Sequence, residues 1–149
     1  MPAATEESEP PASIYERLGG PGEADRFFER LVDAFYDGVA TDQVLLPLYP
    51  EAPDLTGARE RLRLFLIQYW GGPMTYLEVR GHPKLRMRHL PFHIGPAERD
   101  HWLVHMTTAV EQVCDDPAIA RELLHYFVPA AEHLRNDTGL PISSSDPRR

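Results

Sequence analysis

The run Tyr69-Trp70-Gly71-Gly72-Pro73, followed by Gly81-His82-Pro83 and then Arg86-Met87-Arg88-His89-Leu90-Pro91-Phe92, decides how this chain folds. A long helical pattern precedes it and another follows it. Gly71-Gly72-Pro73 ends the first pattern abruptly. Gly81, Pro83 and Pro91 then interrupt every candidate element, so Met74 to Ile94 is expected to hold short turns only. The same run carries chemistry. His89 stands beside the apolar Leu90 and near Phe92, just after the cations Arg80, Lys84, Arg86 and Arg88. The rest of the chain is acidic, so this basic island opposes the local trend. A flat apolar ligand with a metal centre and two carboxylate tails would suit it: imidazole for the metal, Leu90 and Phe92 as a wall, cations for the tails.

Upstream, Ser13-Ile14-Tyr15-Glu16 has the spacing of a capping box and starts a short helix stopped by Gly19-Gly20. Phe27, Phe28, Leu31, Val32, Phe35, Tyr36 and Val39 recur at three- and four-residue steps, which predicts a long helix from about Glu23 to Ala40. Asp42 is placed to cap a short helix through Leu46. Pro47, Pro50 and Pro53 force an irregular connection that contains Tyr49. The second long helix runs from about Asp54 to Trp70, with Leu55, Ala58, Leu62, Phe65, Leu66 and Tyr69 inward. Downstream, Pro96 suits the first turn of a third, to about Cys114, whose inner face is Trp102, Leu103, Met106, Ala109, Val110 and Val113. Pro117 opens a fourth, with Ile119, Leu123, Leu124, Phe127, Ala131 and Leu134 inward, and Pro129 should bend it. Nothing alternates like a strand, so the class is all-α. Residues 1–12 and 137–149 read as disordered tails around one domain at 13–136.

Composition narrows the function. The 149 residues carry a formal net charge of −8, which argues against nucleic acid and against an anionic membrane surface. No apolar run approaches a membrane span, and the acidic N-terminus does not resemble a signal peptide, so a cytoplasmic location is expected. The single cysteine, Cys114, allows no intramolecular disulfide and no Cys-based zinc site.

Taken together, Phe35-Tyr36, Tyr49-Pro50, Phe65, Tyr69-Trp70-Gly71-Gly72-Pro73, Gly81-His82-Pro83, Arg86-Met87-Arg88-His89 and Trp102 resemble the group II truncated haemoglobins, over roughly Ser13 to Asn136. The resemblance implies a globin-like two-over-two helical sandwich with a mostly non-helical proximal segment. It implies haem b, with His89 as proximal iron ligand and Tyr36, Tyr49 and Trp102 as the distal polar cluster. It further implies a pocket of Phe35, Ala58, Leu62, Phe65, Leu90, Phe92 and Met106, with Arg86 and Arg88 towards the propionates. Reversible oxygen binding with slow release is the expected function, with carbon monoxide, nitric oxide or peroxide as competing ligands. Nitric-oxide dioxygenase or peroxidase-like turnover is the alternative and needs a separate reductase. Relatives of this kind associate through helix faces, so a homodimer is also expected.

Each choice has a plainer rival. A lone loop histidine is usually only a satisfied polar group, and the surrounding motif is what turns the odds for His89. Tyr36, Tyr49 and Trp102 could be ordinary core aromatics, but buried hydroxyls and indole N–H groups need acceptors. His101 and His105, four apart on one helix, could hold a non-haem metal with nearby carboxylates. They lack an HExxH context, so a solvated or partner-facing role is expected. His82 is expected to pack its loop. A helical interaction module without cofactor is the last alternative.

Overall fold

The computed structural model describes residues 11–89 and 92–136. The tails expected at 1–12 and 137–149 lie almost wholly outside them. Seven helices occur among the described residues: α1 Ile14–Arg17, α2 Glu23–Val39, α3 Thr56–Tyr69, α4 Thr75–Arg80, α5 Leu85–His89, α6 Pro96–Val113 and α7 Pro117–His133, with a 3-10 turn at Leu46–Leu48. No strand occurs among the described residues.

The α2 stripe is the centre of the core, and all seven of its expected positions are buried. Helix α2 packs on α3 along one side and on α6 along another, and α6 in turn packs on α7. Burying one large apolar side chain contributes about 1.5–3 kcal/mol, so this stripe alone fixes which way α2 faces. The Ser13 capping box forms as the sequence demands, with the Ser13 hydroxyl on the Glu16 amide and the Glu16 carboxylate on the Ser13 amide.

Trp70 explains why Gly71 and Gly72 follow it. Its ring stacks on Phe28 at 6.0 Å and meets Phe127 at 5.5 Å, while its carbonyl accepts the Tyr15 amide at 2.9 Å. The chain must turn immediately beside Tyr15. A Cβ on Gly72 would stand 2.7 Å from the Tyr15 ring, and Gly71 has φ +103°. The short first helix is thereby tied to the end of α3.

The structure departs from the sequence reading in three places. Met74 to Ile94 contains two short helices, α4 and α5, where only turns were expected. On α3 the inward role given to Tyr69 belongs to Ile67: Tyr69 is 50% exposed and lies against Tyr126 at 4.3 Å. Asp42 caps a turn rather than a helix, accepting the Val44 and Leu45 amides at 2.7 and 3.1 Å. Helix α7 runs Pro117–His133 with Pro129 inside it, as the sequence reading has it. No helix among the described residues is long and apolar enough to cross a membrane.

Candidate functional site

His89 closes α5, a helix short enough for the ring to lean back over its own backbone. Its Nδ1 lies 2.6 Å from the Leu85 carbonyl oxygen. A carbonyl only accepts, so Nδ1 carries the proton and Nε2 presents the lone pair. The ring is half-buried and meets Phe92 at 6.5 Å.

Two residues hold this segment from either end. Arg88 donates through Nε to the Pro83 carbonyl at 2.6 Å, and through Nη2 to those of Arg80 and His82 at 2.9 and 3.1 Å. It is therefore an anchor for the loop between α4 and α5, a role the sequence reading did not give it. Its guanidinium and that of Arg80 also lie over the buried Tyr76 ring, at 6.0 and 5.9 Å. The His82 side chain is exposed, so the loop is held by its carbonyl and not by its ring.

At the other end stands Asn136, just beyond α7. Its amide nitrogen donates to the Phe92 carbonyl at 2.6 Å and to that of His89 at 3.3 Å. Its side-chain oxygen accepts the Ile94 amide at 2.9 Å, and its own amide donates to the Ile94 carbonyl at 2.9 Å. Sequence reasoning placed Asn136 only at the margin of the domain. No local pattern marks it, because its partners lie 42 to 47 positions away.

The three proposed distal residues come from different elements. Tyr36 is on α2, Tyr49 follows the 3-10 turn, and Trp102 is on α6. The Tyr36 and Tyr49 rings meet edge to face at 5.6 Å, and Trp102 reaches them through Phe35, at 5.1 Å from that ring. Burial, then the neighbouring Tyr49, pushes the Tyr36 hydroxyl well above its ordinary range. Burial pushes Tyr49 up to about 12, against a lowering by its hydrogen bond with Tyr36. Both hydroxyls therefore stay neutral donors at physiological pH.

Of the remaining pocket residues, Phe35, Ala58, Phe65 and Met106 are buried and Leu62 and Phe92 are half-buried. Leu90 lies outside the described residues, as does the side chain of Arg86. Cys114 is half-buried and burial pushes its thiol up, so it is not primed for redox chemistry.

The solvated or partner-facing role expected for His101 and His105 is narrowed: the His101 side chain is 43% exposed and that of His105 23%. Both rings turn onto Asp42, whose side chain is 7% exposed: His101 Nδ1 at 2.9 Å and His105 Nε2 at 2.7 Å. Among the described residues no group of three or more His, Cys, Asp or Glu side chains could hold a metal ion. The donor set that is built, one imidazole with a fixed tautomer beside buried aromatics and Met106, fits haem rather than a bare ion.

Known proteins match over most of the chain. The model of the bacterial-like globin family matches residues 13–136. Group 2 truncated hemoglobin YjbI from Bacillus subtilis is 39% identical over 131 residues, 88% of this chain and 94% of the relative. Among solved structures, a thermostable hemoglobin from Thermobifida fusca is 52% identical, covering 83% of this chain and 97% of its own, with a TM-score of 0.77. A truncated oxygen-avid haemoglobin from Bacillus subtilis is 38% identical over 83% of this chain and 99% of its own, with a TM-score of 0.75. The helical arrangement of these structures is the one described above.

Proposed function

Because the chain belongs to the bacterial-like globin family, among the group II truncated haemoglobins, we propose that it holds haem b through His89 and binds oxygen reversibly with slow release. The observation that carries this reading is the His89 ring, whose Nδ1 is committed to the Leu85 carbonyl at 2.6 Å. That bond leaves Nε2 as the donor and makes the imidazole a stronger ligand.

When bound, haem supplies a ferrous iron that accepts one small diatomic ligand. The protein's own residues do the rest. Tyr49 and Trp102 supply the O–H and N–H donors for the outer, partly negative atom of that ligand, and Tyr36 completes the cluster by donating its hydroxyl to Tyr49. Each such bond contributes about 0.5–1.5 kcal/mol, and two of them slow escape by roughly ten- to a hundredfold. The elevated hydroxyl of Tyr49, about 12, keeps that donor protonated. The Bacillus subtilis relative described as oxygen-avid is in keeping with this reading. Carbon monoxide and nitric oxide compete at the same position. The propionate role falls to Arg86 by its place in the sequence, since Arg88 commits Nε and Nη2 to backbone carbonyls.

An absorption spectrum of the haem-loaded protein, reduced with dithionite and then exposed to carbon monoxide, tests this. A Soret band that shifts with each step is expected, with His89→Ala losing most of its haem on gel filtration. A colourless protein indifferent to added haemin would overturn the reading.

A further inference from the structure

The Asp42 cluster lies outside the residues given a role so far, yet it touches the supports of all three distal donors. Its carboxylate receives four side-chain and backbone partners: His101 Nδ1 at 2.9 Å, His105 Nε2 at 2.7 Å, and the Val44 and Leu45 amides at 2.7 and 3.1 Å. An ionised carboxylate only accepts, so both imidazoles donate, and their tautomers are fixed by this one group. Through its backbone Asp42 also donates to the Val39 carbonyl at 3.0 Å, one turn beyond Tyr36. Its carbonyl accepts the Leu46 amide at 2.9 Å, and the Leu46 carbonyl accepts the Tyr49 amide at 3.1 Å. On α6, Trp102 directly follows His101. One residue therefore joins the end of the Tyr36 helix, the turn that carries Tyr49, and the helix that carries Trp102.

The α2 side of this contact is cut to fit. Gly38 faces His105, and a Cβ there would stand 2.3 Å from its Nδ1. The absence of a side chain lets the His105 ring approach α2 closely and reach Asp42.

We propose that Asp42 is a positioning residue for the distal site: by receiving His101 and His105 it sets where Trp102 stands relative to Tyr36 and Tyr49, and so how firmly a diatomic ligand is held. This rests on the ligand-binding reading above. A buried polar group whose partners come from two separated elements specifies their register, because any slip would leave it unpaired.

The test uses the full haem-loaded chain with carbon monoxide bound. Asp42→Asn keeps an oxygen for the Val44 and Leu45 amides but cannot receive both imidazoles. His105→Ala removes the tether from the other side, and His105→Gln returns an N–H donor. Three readouts are compared: carbon monoxide release, the C–O stretching band, and hydrogen exchange of the two indole N–H groups. Release in Asp42→Asn and His105→Ala is expected to speed up about three- to tenfold, the scale of one lost hydrogen bond. The C–O band should move, and Trp102 exchange should quicken while Trp70 stays as in wild type. His105→Gln should recover most of the loss. Wild-type release and band position in both Asp42→Asn and His105→Ala would overturn the proposal. So would equal acceleration at Trp70 and Trp102, which reports general loosening. If Asp42→Asn does not fold, the His105 pair decides alone. A wild-type protein without a carbon-monoxide-sensitive Soret band would instead sink the ligand-binding reading, whatever Asp42 does.

Discussion

The Nδ1 of His89 lies 2.6 Å from the carbonyl oxygen of Leu85, one turn earlier on the same short helix. The ring of the proposed iron ligand is thus oriented by its own helix backbone, without a second side chain. The consequence is that no nearby substitution removes the orienting acceptor unless it breaks α5 itself. Leu85→Ala keeps the carbonyl and should retain haem, whereas Met87→Pro, inside α5, breaks the helix and should lose haem nearly as completely as His89→Ala. Haem retention after gel filtration of all three variants checks this.

The distal pair makes a sharper demand. Tyr36 is buried and Tyr49 half-buried, and their ring centroids lie 5.6 Å apart. Tyr49→Phe and Trp102→Phe should each speed oxygen release by roughly two- to tenfold while leaving thermal stability within about 1 kcal/mol. Stopped-flow oxygen release measures it; rates equal to wild type in both variants would sink the proposed cluster.

Asn136 should matter to the site although it meets His89 and Phe92 only at their backbone carbonyls. Replacing it with Ala removes donors to the Phe92 and His89 carbonyls and an acceptor for Ile94. Stability should fall by about 1–3 kcal/mol and haem loss should accelerate. Asn136→Asp keeps the acceptor alone and should fall between the two. The measurements are urea unfolding and haem transfer to an acceptor globin.

Acid stability follows from Asp42. Burial pushes its carboxyl up, but the His101, His105, Val44 and Leu45 hydrogen bonds outweigh that and hold it far below the usual range. The unfolded value is about 3.9. A group lowered on folding contributes stability above its unfolded value and loses it as pH falls through the folded one. The stability gap between wild type and Asp42→Asn should therefore stay open down to about pH 4 and close only below it. Urea midpoints between pH 3 and 7 would show this, and a gap already closed at pH 5 would contradict it.

Gly38→Ala pits two effects against each other. Alanine in a helix interior gains up to about 1 kcal/mol over glycine. Here the added Cβ would meet the His105 ring at 2.3 Å. That ring is held by Asp42, so it cannot move freely, and a net loss of about 1–2 kcal/mol is expected. In the His105→Ala background the same change should become stabilising, which a double-mutant cycle would read directly.

Most of the helical frame was legible because α2, α6 and α7 carry periodic stripes bounded by Gly or Pro. The α2 stripe was right at every position. The stretch around His89 was legible for its chemistry but not its shape, since α4 and α5 are too short to show a period against three interrupting residues. Tyr69 misled because an aromatic at helical spacing looks inward, while here it covers Tyr126 at the surface. Asp42, Arg88 and Asn136 were missed as site supports for one shared reason. Each acts through hydrogen bonds to backbone or to rings set by tertiary contacts, and polar residues in turns leave no pattern that distinguishes such a task from plain solvation.

The reach of Asn136 bears on the order in which the protein is made. His89 is translated 47 positions before the residue that grips its carbonyl. A nascent chain can form α2 and the backbone tie between Tyr15 and Trp70 early, yet the segment that carries His89 lacks its Asn136 clamp until α7 has been synthesised. With His89 as the proposed iron ligand, firm retention of the cofactor waits for that last element of the chain.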